Sequence, residues 1–217
     1  MNELSAVLGL PEWWPTGGRV AVVLAHDAGS DARDPLLGHL QRELTGHKFL
    51  TLCFNFPFAE AGKQPAEDGL EVLDRSFRTA VAILGRDPTA APAHLFLGGM
   101  GLGARIAGRL ATSQLRIDGT FFLGFPLHEV DAPKTATADQ LYRVTSPMIF
   151  LQGDRDRRCH LDTLKQALGR VGAPVELAVV PDADEHFRVA EGSFRTEEEV
   201  RGQVFDALYE WMEDRLD

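Results

Sequence analysis

The chain has 217 residues, 44% of them apolar and 25% charged, and its 22 Lys+Arg against 32 Asp+Glu leave a net charge of −10. Those proportions are those of a soluble globular chain and exclude disorder as its main state. The acidic balance argues against a nucleic-acid or membrane-surface partner, both of which need a basic face, and no run approaches the ~20 apolar residues of a membrane span.

In chain order, an extension over 1–18 precedes a first strand predicted at Arg19–His26, whose centre Val20-Ala21-Val22-Val23-Leu24-Ala25 is unbroken apolar sequence. Leu36, Leu37, Leu40 and Leu44 then recur at helical spacing before Gly46, and a second strand is predicted at Lys48–Phe56. After a polar loop, Ala59–Gly69, the residues Val72, Leu73, Phe77, Ala80, Val81 and Leu84 make a helical stripe that stops at Gly85. A strand at Ala93–Gly98, a helix at Leu102–Ala111 and a strand at Gly119–Phe125 follow. Beyond the loop Leu127–Leu141 come a strand at Pro147–Gly153, a helix at Leu161–Leu168 and a strand at Val175–Val180. The last helix, Glu197–Arg215, has an acidic first turn suited to the helix dipole and an apolar face of Val200, Val204, Leu208 and Trp211. Near-continuous apolar strands alternating with amphipathic helices predict a doubly wound, mostly parallel α/β sheet buried on both faces. No repeat or long linker divides the sequence, so one domain over 1–217 is expected.

In such sheets ligands sit beyond the carboxyl ends of the strands, so the residues just after each strand carry the information. They read His26-Asp27-Ala28-Gly29, Asn55-Phe56-Pro57, Gly99-Met100-Gly101-Leu102-Gly103, Gly124-Phe125-Pro126, Gly153-Asp154-Arg155-Asp156 and a segment from Asp182 to Phe187 that contains His186. The run Gly98-Gly99-Met100-Gly101-Leu102-Gly103, between a buried strand and a helix, resembles the nucleophile elbow Gly-x-Ser-x-Gly of α/β hydrolases. Gly99 and Gly103 match the outer glycines, and Gly101 stands where the pattern has serine.

The resemblance extends over nearly the whole chain after Arg19, in the order nucleophile, acid, histidine. It implies an α/β-hydrolase fold without a lid, since only Pro126 to Pro147 separates two strands. It also implies Asp156 as the triad acid, with Asp154 the less favoured alternative, and His186 as the general base. The loop from His26 to Gly29 resembles the His-Gly-x-Gly segment of the family, which implies the N–H groups of Ala28 and Leu102 as oxyanion donors. The compact length and Asn55-Phe56-Pro57 are most similar to small lidless members of the dienelactone-hydrolase-like and testis-expressed-protein-like kind.

Two departures stand at one site. Glycine has no atom that can attack a carbonyl, and Ser5, Ser30, Ser76, Ser113, Ser146 and Ser193 all lie outside the elbow. Asp27 replaces a family glycine and brings a carboxylate beside an oxyanion donor. Three functions follow as alternatives. The chain is a small-molecule or partner-binding protein on a hydrolase fold, with ordinary covalent ester hydrolysis absent or weak. Or it is an enzyme in which a His186–Asp156 dyad acts as general base, with Leu102 N–H as oxyanion donor. Or it is a serine esterase in which position 101 has been altered, acting on an ester-like substrate.

Other signals are weaker. The glycine run lacks the last glycine of a dinucleotide fingerprint and follows the third predicted strand, so no cofactor is expected. Asp184, Glu185 and His186 lack a second His or Cys at ligand spacing, so no metal is expected either. Cys53 and Cys159 have no redox spacing and are read as free thiols, and residues 1–15 carry no basic leader, which together point to the cytoplasm. His26 is read as a brace for its loop. The oligomeric state is not legible.

Overall fold

The computed structural model describes residues 4–14, 18–64, 68–86 and 91–216. The predicted sheet forms. Six parallel strands, β2 (Val20–Ala25), β3 (Leu50–Phe54), β4 (His94–Met100), β5 (Gly119–Leu123), β6 (Met148–Gly153) and β7 (Val175–Val180), are joined by β1 (Ala6–Gly9), which pairs antiparallel with β3 at one edge. Their spatial order is β1-β3-β2-β4-β5-β6-β7. The crossovers are α1 (Pro35–Gly46), α3 (Leu70–Leu84), α4 (Leu102–Ala111) and α5 (Leu161–Leu168), with α2 (Pro57–Glu60) a single turn and α6 (Glu197–Glu213) closing the chain.

The sheet is doubly wound because β2 has no polar face. Val20, Val22 and Leu24 pack into one core with residues of α1 and α6, while Ala21, Val23 and Ala25 point the other way into the core under α3 and α4. Phe122, Met148 and Phe150 continue that second layer under α5. Four of the six predicted strands begin one or two residues early and three end one or two late. β4 instead runs two residues further than predicted, to Met100, which brings it directly to the turn at Gly101.

Two elements were not foreseen. β1 lies inside the predicted N-terminal extension, where residues 1–3 and 15–17 fall outside the described set, and α2 opens the predicted loop Ala59–Gly69, of which 65–67 do. The loop Leu127–Leu141 contains one single-turn 3₁₀ helix before a second at Leu141–Arg143, and its Leu127, Ala138 and Leu141 are buried in the core. It carries no lid. Among the described residues no helix is long and apolar enough to cross a membrane.

Helix ends are fixed by local chemistry. The Asp34 carboxylate accepts from the N–H groups of Leu36 and Leu37 with Pro35 in the first turn, and Thr196 and Glu199 form a reciprocal capping box at the start of α6. By contrast α4 starts from Gly101 with no capping side chain of its own. Its cap comes from elsewhere in the fold.

Candidate functional site

The turn between β4 and α4 has the backbone of a nucleophile elbow. Gly101 sits at φ 55° and ψ −113°, a conformation that a side chain adopts only under strain. Gly99 and Gly103 let this turn lie against β2, since a Cβ on either would come within 2.3 Å of the Ala25 carbonyl oxygen. The Gly103 N–H donates to the His26 carbonyl at 3.1 Å, which ties the elbow to the loop after β2.

That loop delivers Asp27 into the elbow. A Cβ built on Gly101 would meet Asp27 Oδ1 at 2.0 Å and Oδ2 at 2.5 Å, so the carboxylate fills the volume that an elbow side chain would need. Oδ1 accepts from the N–H groups of Leu102 and Ala28, both at 2.7 Å. These are the two groups identified from the sequence as oxyanion donors. Oδ2 lies 3.3 Å from His186 Nε2 and accepts from Arg158 Nη2 at 3.1 Å. The Asp27 side chain is only 2% exposed, and every oxygen has donors. It therefore caps α4 from the loop after β2, with a full negative charge at the positive end of the helix dipole.

Electrostatics follow from these contacts. Burial drives the Asp27 carboxyl upward, but the hydrogen bond with His186, the Arg158 charge and the N–H groups of Leu102 and Ala28 outweigh it and hold the group well below the usual carboxylate range. In return the Asp27 hydrogen bond raises His186 above its ordinary value, against a downward pull from partial burial. Asp156 is shifted the opposite way from Asp27: burial pushes it up, only partly offset by the N–H and charge of Arg158.

The structure thus brings Gly101, Ala28, Leu102 and His186 around one carboxylate, and that carboxylate belongs to Asp27. Asp156 is nearby but turned elsewhere. Its Oδ1 accepts from the Arg158 N–H at 2.6 Å and its Oδ2 from the Gln152 side chain, whose own oxygen accepts from the Phe125 N–H. Among the described residues no hydrogen bond or ion pair joins Asp156 to His186, and no hydroxyl bonds to the His186 ring. The expected His186–Asp156 dyad is therefore not formed here: Asp156 is saturated by Gln152 and Arg158, and Asp27 meets the imidazole at Nε2, the nitrogen that would act as the base. Asp154 is exposed at the same turn.

His26 braces its loop, as the sequence suggested. Its Nε2 accepts from the Phe56 N–H at 3.0 Å and its Nδ1 lies 2.7 Å from the Asp27 carbonyl oxygen, so the neutral Nδ1–H tautomer satisfies both. Burial lowers its pKa, which agrees with that neutral role. The His186 loop is built by Asp184, whose Oδ1 accepts from the N–H groups of His186 and Arg188. Arg158 and Gln152 went unrecognised in the sequence. Nothing in the motif pattern marks an arginine two residues past the acid position, and Gln152 reads as one more residue of a strand. No group of His, Cys, Asp and Glu among the described residues could hold a metal ion. Burial drives the thiol pKa of Cys53 up to about 12 and that of Cys159 upward as well, which makes both poor nucleophiles.

Solved structures of similar shape share this frame. The chain superposes on an alpha-beta serine hydrolase homologue from Coxiella burnetii with a TM-score of 0.74, at 19% identity, over 94% of this chain and 91% of that one. A dienelactone hydrolase from Anabaena variabilis gives 0.70 at 17% identity, over 94% and 89%. A serine hydrolase without a lid from Xanthomonas campestris gives 0.67 at 17% identity, over 96% and 89%. At such identities the likeness is one of fold. The model of the alpha/beta hydrolase domain matches residues 18–213, from the approach to β2 to the end of α6, and the chain belongs to that family.

Proposed function

We propose that this α/β hydrolase has exchanged covalent acyl transfer for ligand binding, its reaction centre being closed by its own carboxylate. One observation carries the reading: Asp27 occupies the place of the elbow side chain and takes both N–H groups that an oxyanion would use. Oxyanion donors accelerate acyl transfer only when they are free to meet charge that develops in the transition state. Here they already hold a full charge in the ground state. The general-base alternative needs the same Leu102 N–H and a free Nε2 on His186, and Asp27 takes both.

The remaining alternative, a serine removed from position 101, fits the packing poorly. A Cβ there cannot coexist with Asp27 Oδ1 at 2.0 Å, so Gly101 and Asp27 form a matched pair. A small-molecule ligand is accordingly favoured over an ester-like substrate.

The test uses a fluorophosphonate probe and short-chain nitrophenyl esters. The natural chain should give no serine labelling and no burst of nitrophenol. Gly101→Ser alone should also stay silent, because Asp27 blocks the new hydroxyl. Combining Gly101→Ser with Asp27→Gly, which also returns the loop to the family pattern, should produce labelling at the introduced serine. Stoichiometric labelling of any serine in the natural chain overturns the reading.

A further inference from the structure

Beside the Asp27 cluster, the first turn of α4 and the loop after β5 border an open cavity of about 580 Å³, with Arg105 and Arg158 both on its wall. In a chain of net charge −10, this wall carries two guanidinium groups, one of them already paired with Asp27. Glu129 is the one carboxylate on that wall. His128, also there, is turned to bonds of its own, with Nε2 accepting from the His160 N–H at 2.9 Å and Nδ1 2.7 Å from the Glu129 carbonyl oxygen.

The two arginines have donors to spare. Arg158 gives Nη2 to Asp27 and keeps 19% of its side chain exposed, and the rest of its guanidinium makes no hydrogen bond or ion pair among the described residues. Arg105 is exposed, and among the described residues its guanidinium makes no hydrogen bond or ion pair. Leu127 and Val130 give the cavity an apolar side. The volume lies within the range of small-ligand sites, and the planar fork of arginine matches the oxygens of a carboxylate or phosphate.

We propose that this cavity binds a small organic anion, with its carboxylate or phosphate between Arg105 and Arg158 and its apolar body against Leu127 and Val130. The proposal rests on the binding role inferred above for the Asp27 centre and gives that role a ligand class. Asp27 shows that Arg158 donates to a carboxylate in this geometry. Arg105, which has no part in the Asp27 cluster, supplies the second contact.

Isothermal titration of the full chain with benzoate, phenyl phosphate and neutral benzamide tests it. One of the two anions should bind at least about tenfold tighter than benzamide, and Arg105→Gln should remove about that factor, the worth of one charge-assisted contact. Whichever anion binds tighter distinguishes a carboxylate from a phosphate ligand. Arg105 is exposed, so its replacement leaves the fold intact, and an unchanged melting temperature confirms that. Absence of anion-selective binding in the natural chain, or an Arg105→Gln variant that binds as before, overturns the proposal. Fluorophosphonate labelling of the natural chain would instead overturn the reading of the Asp27 centre, and it leaves the titration result unaffected.

Discussion

Position 101 has the backbone of an elbow and no side chain. The φ of 55° is costless for glycine, and the space above it belongs to Asp27. Gly101→Ala should therefore lose stability twice, about 1–3 kcal/mol from backbone strain and a comparable amount from overpacking against the carboxylate. In an Asp27→Gly background the second loss should vanish and the first remain. Urea denaturation of the two single variants and the double variant closes the cycle, and the two sites should couple strongly because they share one contact. Strictly additive losses would show that residue 101 and Asp27 do not compete for the same volume.

At the scale of elements, the parts that hydrophobic pattern dictates were legible and the parts that depend on pairing were not. β2, buried on both faces, announces itself as six apolar residues in a row, and α4 and α5 have the bounds their periodicity predicted. β1 escaped because it is a short edge strand with Val7 and Leu8 largely exposed, held by its ladder with β3 rather than by burial. The candidate site divides in the same way. Strand ends and motif order located Gly101, Ala28, Leu102 and His186, since the topology alone carries them to one rim. Which acid meets the imidazole depends on where two loops set their side chains, and no spacing encodes that Asp27 reaches inward while Asp156 turns to Gln152 and Arg158. α6 offers a test at this scale, because the structure adds to its acidic first turn a capping box between Thr196 and Glu199. Thr196→Ala removes the hydroxyl that accepts the Glu199 N–H and should destabilise the fold by about 1 kcal/mol in urea. An unchanged midpoint would mean that the buried face of Val200, Val204, Leu208 and Trp211 holds the helix without its cap.

Across the whole molecule, one carboxylate joins four separate connections: the loop after β2 through Ala28, the β4–α4 turn through Leu102, the β6–α5 loop through Arg158 and the β7–α6 loop through His186. These contacts cross-link the rim at the carboxyl ends of the strands. Replacing Asp27 with Asn retains the shape but removes the charge that Arg158 and His186 face. Breaking a buried ionic cluster from one side costs about 3–5 kcal/mol at neutral pH, less whatever the amide still accepts. Hydrogen exchange should quicken together in 26–30, 101–105, 154–160 and 184–188, with the central amides of β2, β4 and β5 as slow as before. The pH dependence has a definite sign. Asp27 is held below its ordinary value, so its contribution is complete above the unfolded value of 3.8 and is lost as pH falls through the folded one. His186 is raised above 6.5, so its contribution is complete below that value and is lost as pH rises through the folded one. The stability gap between the natural chain and Asp27→Asn should therefore be widest between about pH 4 and 6.5, and should narrow on both sides, as read from urea midpoints near pH 3, 5.5 and 9. A gap that stays constant from acid to alkaline pH would mean that the four connections are held by packing, with the charge on Asp27 incidental to them.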